Sequence, residues 1–149
     1  MEKKLDCILL VDDDFATNFI NKKIIERTNI AEHINVALNG KEAIDYLCNQ
    51  GKFESADTKY PLPRLILLDI NMPVMDGWEF IEVYKNLELK NKENVVIVML
   101  SSSFNPADKA KAESIEEISD FRQKPMGKEA LLDIITKNFP DLLEEGDLL

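Results

Sequence analysis

Three carboxylates and a hydroxyl stand at the ends of apolar runs in this chain, and an ammonium at the end of a mixed one. Asp12 and Asp13 follow Cys7-Ile8-Leu9-Leu10-Val11, and Asp69 follows Leu65-Ile66-Leu67-Leu68. Ser101 follows Val95-Val96-Ile97-Val98-Met99-Leu100, and Lys124 closes the stretch Ile118 to Gln123, just before Pro125. An acid at the tip of a buried strand is costly unless its charge is compensated. Three acids gathered together push one another toward the protonated form. Bound Mg²⁺ relieves this, because it prefers hard oxygen ligands in an octahedral shell and keeps several waters. Asp13, Asp69 and a backbone carbonyl near Asn71 are candidate direct ligands, with Asp12 acting through water. A half-filled shell of this kind suits phosphate oxygens. Asp69 can then take a phosphoryl group, with Lys124 neutralising one phosphoryl oxygen and Ser101 donating a hydrogen bond to another.

Taken singly, each residue has a plainer reading. Asp12 to Asp14 make an acidic turn and helix cap, Asp69 a turn aspartate, Ser101 to Ser103 a loop, and Lys124 a solvent-facing charge. The case for chemistry is their placement on one rim, and that depends on the elements. Leu65 to Leu68 reads as a strand buried on both faces, and Pro73 cannot continue a central strand. Asp76-Gly77-Trp78-Glu79 opens a helix with Asp76 as N-cap and Glu79 at the capping-box position. It runs to about Leu89, with Phe80, Ile81, Tyr84 and Leu87 inward. Cys7 to Val11 and Val95 to Leu100 are two more continuous apolar strands. Ile34 to Leu38 and Ile118 to Gln123 mix polar and apolar residues.

The remaining helices follow from spacing and caps. Phe15 to about Thr28 carries an apolar stripe of Phe15, Ala16, Phe19, Ile20 and Ile24. Asn39-Gly40-Lys41-Glu42 reads as an N-cap with its glutamate partner, ahead of a helix that ends near Gly51 and turns Ala43, Ile44, Leu47 and Cys48 to one side. Asn105-Pro106 starts a helix to about Ile115 with only a thin apolar stripe. Lys128 to Asn138 buries Leu131, Ile134 and Ile135, with Phe139 beyond. Lys52 to Pro63 is a polar surface loop longer than the usual connection. Strand and helix thus alternate five times, the pattern of a parallel α/β sheet. The apolar strands belong inside and the mixed ones at the edges. This is the doubly wound order 2-1-3-4-5, with helices on both faces and the ligand site outside the carboxyl ends, at the switch between strands one and three.

Composition bounds the function. The 149 residues suffice for one domain with a proper core. The net charge of −10 excludes a general attraction for nucleic acid or anionic membrane. Cys7 and Cys48 are neither a disulfide framework nor a metal set. Both read as buried free thiols, which fits a reduced, cytoplasmic setting. The first apolar run is too short for a signal peptide or a membrane span. Residues 1–5 read as a lead, 6–139 as the domain, and 140–149 as an acidic tail that frays, with no output domain after it. His33 reads as an ordinary residue ahead of the second strand, away from the rim.

Leu9-Leu10-Val11-Asp12-Asp13, Asp69-Ile70-Asn71-Met72-Pro73-Val74-Met75-Asp76-Gly77 and Lys124-Pro125 resemble the receiver domain of two-component response regulators, a flavodoxin-like fold. The resemblance covers residues 6 to about 139. It implies that Asp12 and Asp13 hold Mg²⁺ together with the carbonyl of Asn71, and that Asp69 is phosphorylated from a phosphohistidine of a sensor histidine kinase or histidine phosphotransfer protein. Ser101 and Lys124 would sense the phosphoryl group. Phe121, three residues before the lysine, would be the switch. Asn71 and Ser103 flank the site and are expected, from that position, to tune the phosphoryl lifetime. The implied output is a contact with a downstream protein or a phosphorelay, from a stand-alone receiver, with a homodimer as one possible form.

The sequence departs from the family in four places. Ser101 stands where Thr is common, and Phe121 lacks the hydroxyl of Tyr. The glycine often found before that aromatic is missing, and Met126 replaces a bulkier residue after Lys-Pro. The Lys52 to Pro63 loop is similar to that of receivers serving phytochrome-type kinases. Two rival readings remain. One is an aspartyl-phosphate phosphatase or transferase, which places a general acid two residues after its nucleophile; Asn71 holds that position and cannot act so. The other is a receiver-like module that only docks partners.

Overall fold

A computed structural model describes residues 4–54, 60–103 and 105–142. Among them the strands are β1 (Leu5–Val11), β2 (Ala31–Ala37), β3 (Leu65–Asp69), β4 (Val96–Ser101) and β5 (Ile118–Gln123). They alternate with α1 (Phe15–Thr28), α2 (Gly40–Cys48), α3 (Gly77–Lys85), α4 (Pro106–Glu113) and α5 (Gly127–Asn138). The strands form one sheet in the order β2-β1-β3-β4-β5, all pairs parallel. This is the doubly wound order expected from the apolar and mixed strands. No helix among the described residues is long and apolar enough to cross a membrane.

Side chains alternate across the pleat. Cys7, Leu9, Val11, Ile66, Leu68, Ile97 and Met99 pack with α2 and α3 through Tyr46, Phe80, Ile81 and Tyr84. Ile8, Leu10, Leu65, Leu67, Val98 and Leu100 pack on the other face with Ile25 of α1 and with Leu131, Ile134 and Ile135 of α5. Truncating one of these fully buried aliphatic residues to Ala costs about 2–5 kcal/mol. That packing holds the charged strand ends in place.

Several expected boundaries shift. The apolar stripe of α1 faces solvent: Phe15, Phe19 and Ile20 are 82%, 53% and 54% exposed. The buried positions are Asn18, Asn21, Ile25 and Thr28, a face with the same helical spacing but polar toward its start. The reason is local, since the inward face must meet the polar end of β1 there. His33 lies within β2, paired with Cys7, and still away from the carboxyl-end rim. Cys7 is fully buried, but Cys48 is only half-buried. α3 ends at Lys85, and Leu87 packs on the core from beyond the helix. Of the Lys52 to Pro63 connection, Gly51–Phe53 form a 3-10 turn and residues 55–59 lie outside the described residues. The same holds for residues 1–3 of the lead and 143–149 of the tail.

The caps hold the helix starts to the strand ends. Asp76 accepts from the Glu79 N–H at 2.9 Å and Glu79 accepts from the Asp76 N–H at 3.1 Å, the full capping box. Asn39 accepts from the Glu42 N–H, but Glu42 accepts from Leu38, one residue earlier than a capping box requires. Between β3 and α3 the Met75 N–H donates to Pro73 O at 2.7 Å across Val74, which stands at φ 68° and is 75% exposed. A γ-turn at positive φ is strained, and most so for a β-branched residue. Val74→Gly is therefore expected to stabilise the fold by about 0.5–1 kcal/mol, the strain relieved exceeding the glycine's added freedom when unfolded. Urea unfolding with an unchanged m-value checks this; a lower midpoint would contradict it.

Candidate functional site

β1 ends in a turn that is held at several points. The Asp12 N–H donates to Ala37 O at 3.1 Å, and the Asp12 carboxylate accepts from the Asp14 N–H at 2.9 Å. Asp14 caps α1 by accepting from the backbone and hydroxyl of Thr17, and the Thr17 hydroxyl bond holds its carboxyl below the ordinary range. Asn18 reaches back to donate to the Asp12 carbonyl at 2.9 Å. Asp13, next in the turn, is exposed. Asp69 is the last residue of β3 and is buried. Gly77 makes this possible: its N–H donates to Ile70 O at 2.8 Å, and a Cβ there would lie 2.5 Å from the Asp69 carbonyl.

The three acids meet as expected. One carboxylate oxygen from each of Asp12, Asp13 and Asp69 lies within 4.8 Å of the others. Lys124 also reaches them, with its ammonium 2.5 Å from Asp12 Oδ2 and 3.1 Å from Asp69 Oδ1. Its backbone N–H donates to Ser101 O at 2.7 Å, so the end of β4 fixes the end of β5. The Lys124–Pro125 peptide that follows is cis. Burial and then the Asp12 charge push the Asp69 carboxyl up from the ordinary aspartate range, against the pull of Lys124. Burial works against the Lys124 ammonium, yet its bonds and attraction to Asp12 and Asp69 together raise it.

Ser101 is at the rim but turned aside. Its hydroxyl donates to Ser103 O at 2.8 Å and accepts from the Ser103 N–H at 3.2 Å. Phe121 lies beside Met99 in the β4–β5 register, half-buried on the α4 side of the sheet. A cavity of about 290 Å³ opens next to it, between α4 and β5. Asn71 follows Ile70 with its side chain exposed. Sequence reasoning missed Asn18 and the Ser103 turn. The signal for Asn18 was an amide six residues past the strand-end acid, on the helix face that proves buried.

Residues 8–136 match the family model described as the response regulator receiver domain. The chain belongs to that family. It is 31% identical to Two-component response regulator 24 of Arabidopsis thaliana over 137 residues, which is 91% of this chain and 85% of that protein. A two-component response regulator from Cytophaga hutchinsonii is similar in structure, with TM-score 0.79 and 34% identity, over 93% of this chain and 99% of that one. The bacteriophytochrome response regulator RtBRR is similar with TM-score 0.71 and 26% identity, over 93% of this chain and 78% of its own.

In this receiver the burial of Asp69 beside Asp12 has an effect on stability whose sign can be measured. A carboxyl raised in the folded state binds its proton more tightly there than in the unfolded chain. Its contribution to stability is therefore lost as pH rises from the ordinary value of 3.8 through the raised one. Asp69→Asn removes that loss. The variant is expected to melt a few degrees above wild type at neutral pH, and the difference should vanish on acidification below the ordinary aspartate value. Thermal unfolding across pH checks this; an Asp69→Asn variant that melts lower at neutral pH would contradict it.

Proposed function

We propose that Asp69 is the phosphoryl acceptor of this receiver and that a phosphohistidine, on a sensor histidine kinase or a histidine phosphotransfer protein, is the donor. The observation that carries this is the Asp69 carboxylate at the strand tip, within 4.8 Å of the Asp12 and Asp13 carboxylates and 3.1 Å from the Lys124 ammonium. A carboxylate oxygen of Asp69 forms a bond to phosphorus while the phosphorus–nitrogen bond to the histidine breaks and the imidazole leaves. Lys124 neutralises charge on the phosphoryl oxygens. The donor set is all hard oxygen and carries excess negative charge, which fits Mg²⁺. Asp13, Asp69 and the Asn71 carbonyl would hold the ion directly, and Asp12 through water. When bound, Mg²⁺ offsets the repulsion among the acids and the incoming phosphate.

A donor needs a docking face beside the rim. The exposed Phe15, Phe19 and Ile20 of α1 supply apolar surface there. Ile20 also lines a cavity of about 310 Å³ with Lys124, Pro125 and Met126. Both features support a protein donor that presents its histidine over Asp69.

The output reading follows from Ser101. To reach a phosphoryl group its hydroxyl must leave the Ser103 backbone, and the space it vacates admits Phe121. α4 lies alongside and buries only Ala112 of its eight residues, which suits an element of low local stability. Its contacts include Lys111 stacked over Trp78 at 4.3 Å. Phosphorylation thus shifts a population at the α4–β5 face, where a downstream protein would read it.

Intact-protein mass after incubation with acetyl phosphate and Mg²⁺ tests the acceptor. One phosphoryl adduct is expected on wild type, absent when Mg²⁺ is chelated and absent in Asp69→Asn. Adduct of equal yield on Asp69→Asn would overturn the assignment.

A further inference from the structure

We propose that Asn18 is a positioning residue for the acid pair, holding the peptide between Asp12 and Asp13 so that Asp13 faces the rim; the inference rests on the Mg²⁺ site proposed above. Asn18 is 6% exposed, and its amide nitrogen donates to the Asp12 carbonyl at 2.9 Å. The other end of the same amide, Oδ1, is buried with no hydrogen-bond partner among the described residues. An unpartnered buried acceptor costs free energy, so one such group calls for a reason. Asn49 also buries an unpartnered Oδ1, and there the reason is conformational: it caps α2 at φ 56°, where Asn is favoured. Asn18 is the fourth residue of α1 and has no positive φ, so it meets no such demand. Leu would fill the same space without stranding a polar atom. What Leu cannot do is donate to the end of β1.

That donation acts on Asp13 rather than Asp12. The Asp12 carboxylate is already fixed by Lys124 and by the Asp14 N–H. Asp13 is exposed, and its direction is set by the backbone that carries it. The peptide joining the two has its carbonyl held by Asn18. Releasing that carbonyl frees the peptide to rotate and takes the Asp13 carboxylate away from those of Asp12 and Asp69. Groups that orient metal ligands in this way typically change metal affinity by 10–100-fold when lost.

The test is Mg²⁺ titration calorimetry on wild type, Asn18→Leu, Asn18→Ala and Asn21→Ala, with a thermal melt of each protein. Asn21 is one turn away on the same helix and is 7% exposed, so its variant controls for a buried amide lost from α1. Asn18→Leu keeps the volume and removes the stranded acceptor, so it is expected to fold and melt near wild type. It should still bind Mg²⁺ about tenfold more weakly or worse. Asn18→Ala should show the same loss, and Asn21→Ala should bind within about twofold of wild type. Asn18→Leu that binds Mg²⁺ like wild type, while wild type binds, would overturn this inference alone. Wild type that binds no Mg²⁺ would overturn the underlying site and this inference with it.

Discussion

The interaction on which the rest depends is the ion pairing of Lys124 with two acids at the carboxyl end of the sheet. Asp12 and Asp69 are both buried, and a third carboxylate, Asp13, stands beside them. Left alone, such a group would protonate or splay apart. Lys124 holds it together, 2.5 Å from one acid and 3.1 Å from the other. It compensates only part of the charge, and the Asp69 carboxyl remains raised by burial and by Asp12. The rim is thus stable enough to form and charged enough to favour a divalent cation. In the proposed function the same lysine would be the positive partner of an incoming phosphoryl group.

Placing a lysine beside two aspartates from distant parts of the chain is the work of the fold. β1, β3 and β4 bury side chains on both faces of the sheet, so their ends are fixed relative to one another. β5 is bound to β4 by the ladder and by the Lys124 N–H on Ser101 O, which carries the ammonium to the rim. Gly77 lets the chain pass within contact of the Asp69 carbonyl, and its N–H secures Ile70. The loop after β3 is tied sideways by the Gly40 N–H on Met75 O. Rigidity is therefore concentrated under the acids. The proposed switch groups, the hydroxyl of Ser101 and the ring of Phe121, lie toward the lightly buried α4.

How much of this was legible in the sequence depended on whether the signal was local. Strand order followed from apolar content, because a strand buried on both faces has no room for polar residues, as in Leu65 to Leu68. The rim acids and Ser101 followed because each stands where an apolar run stops, and Lys124 because it ends the mixed fifth strand just before Pro125. The inward face of α1 did not follow. Its apolar stripe of Phe15, Phe19 and Ile20 is as regular as a core stripe, and only contact with the polar end of β1 reveals that Asn18 and Asn21 turn inward. Which partner a hydroxyl chooses was equally hidden. Ser101 could have bonded toward the acids, and the structure closes it onto Ser103. The full extent of β2, from Ala31, was missed because an edge strand tolerates Glu32 and His33 facing water.

The central claim is that Asp69, Lys124 and a divalent cation together form a phosphoryl-binding centre. Fluorine NMR of the protein with beryllofluoride and Mg²⁺ tests it most directly, because the mimic is held only where a carboxylate, an ammonium and the cation converge. Bound fluorine resonances are expected for wild type, lost in Asp69→Asn and lost when Mg²⁺ is removed. Free fluoride species alone in the wild-type spectrum would contradict the account.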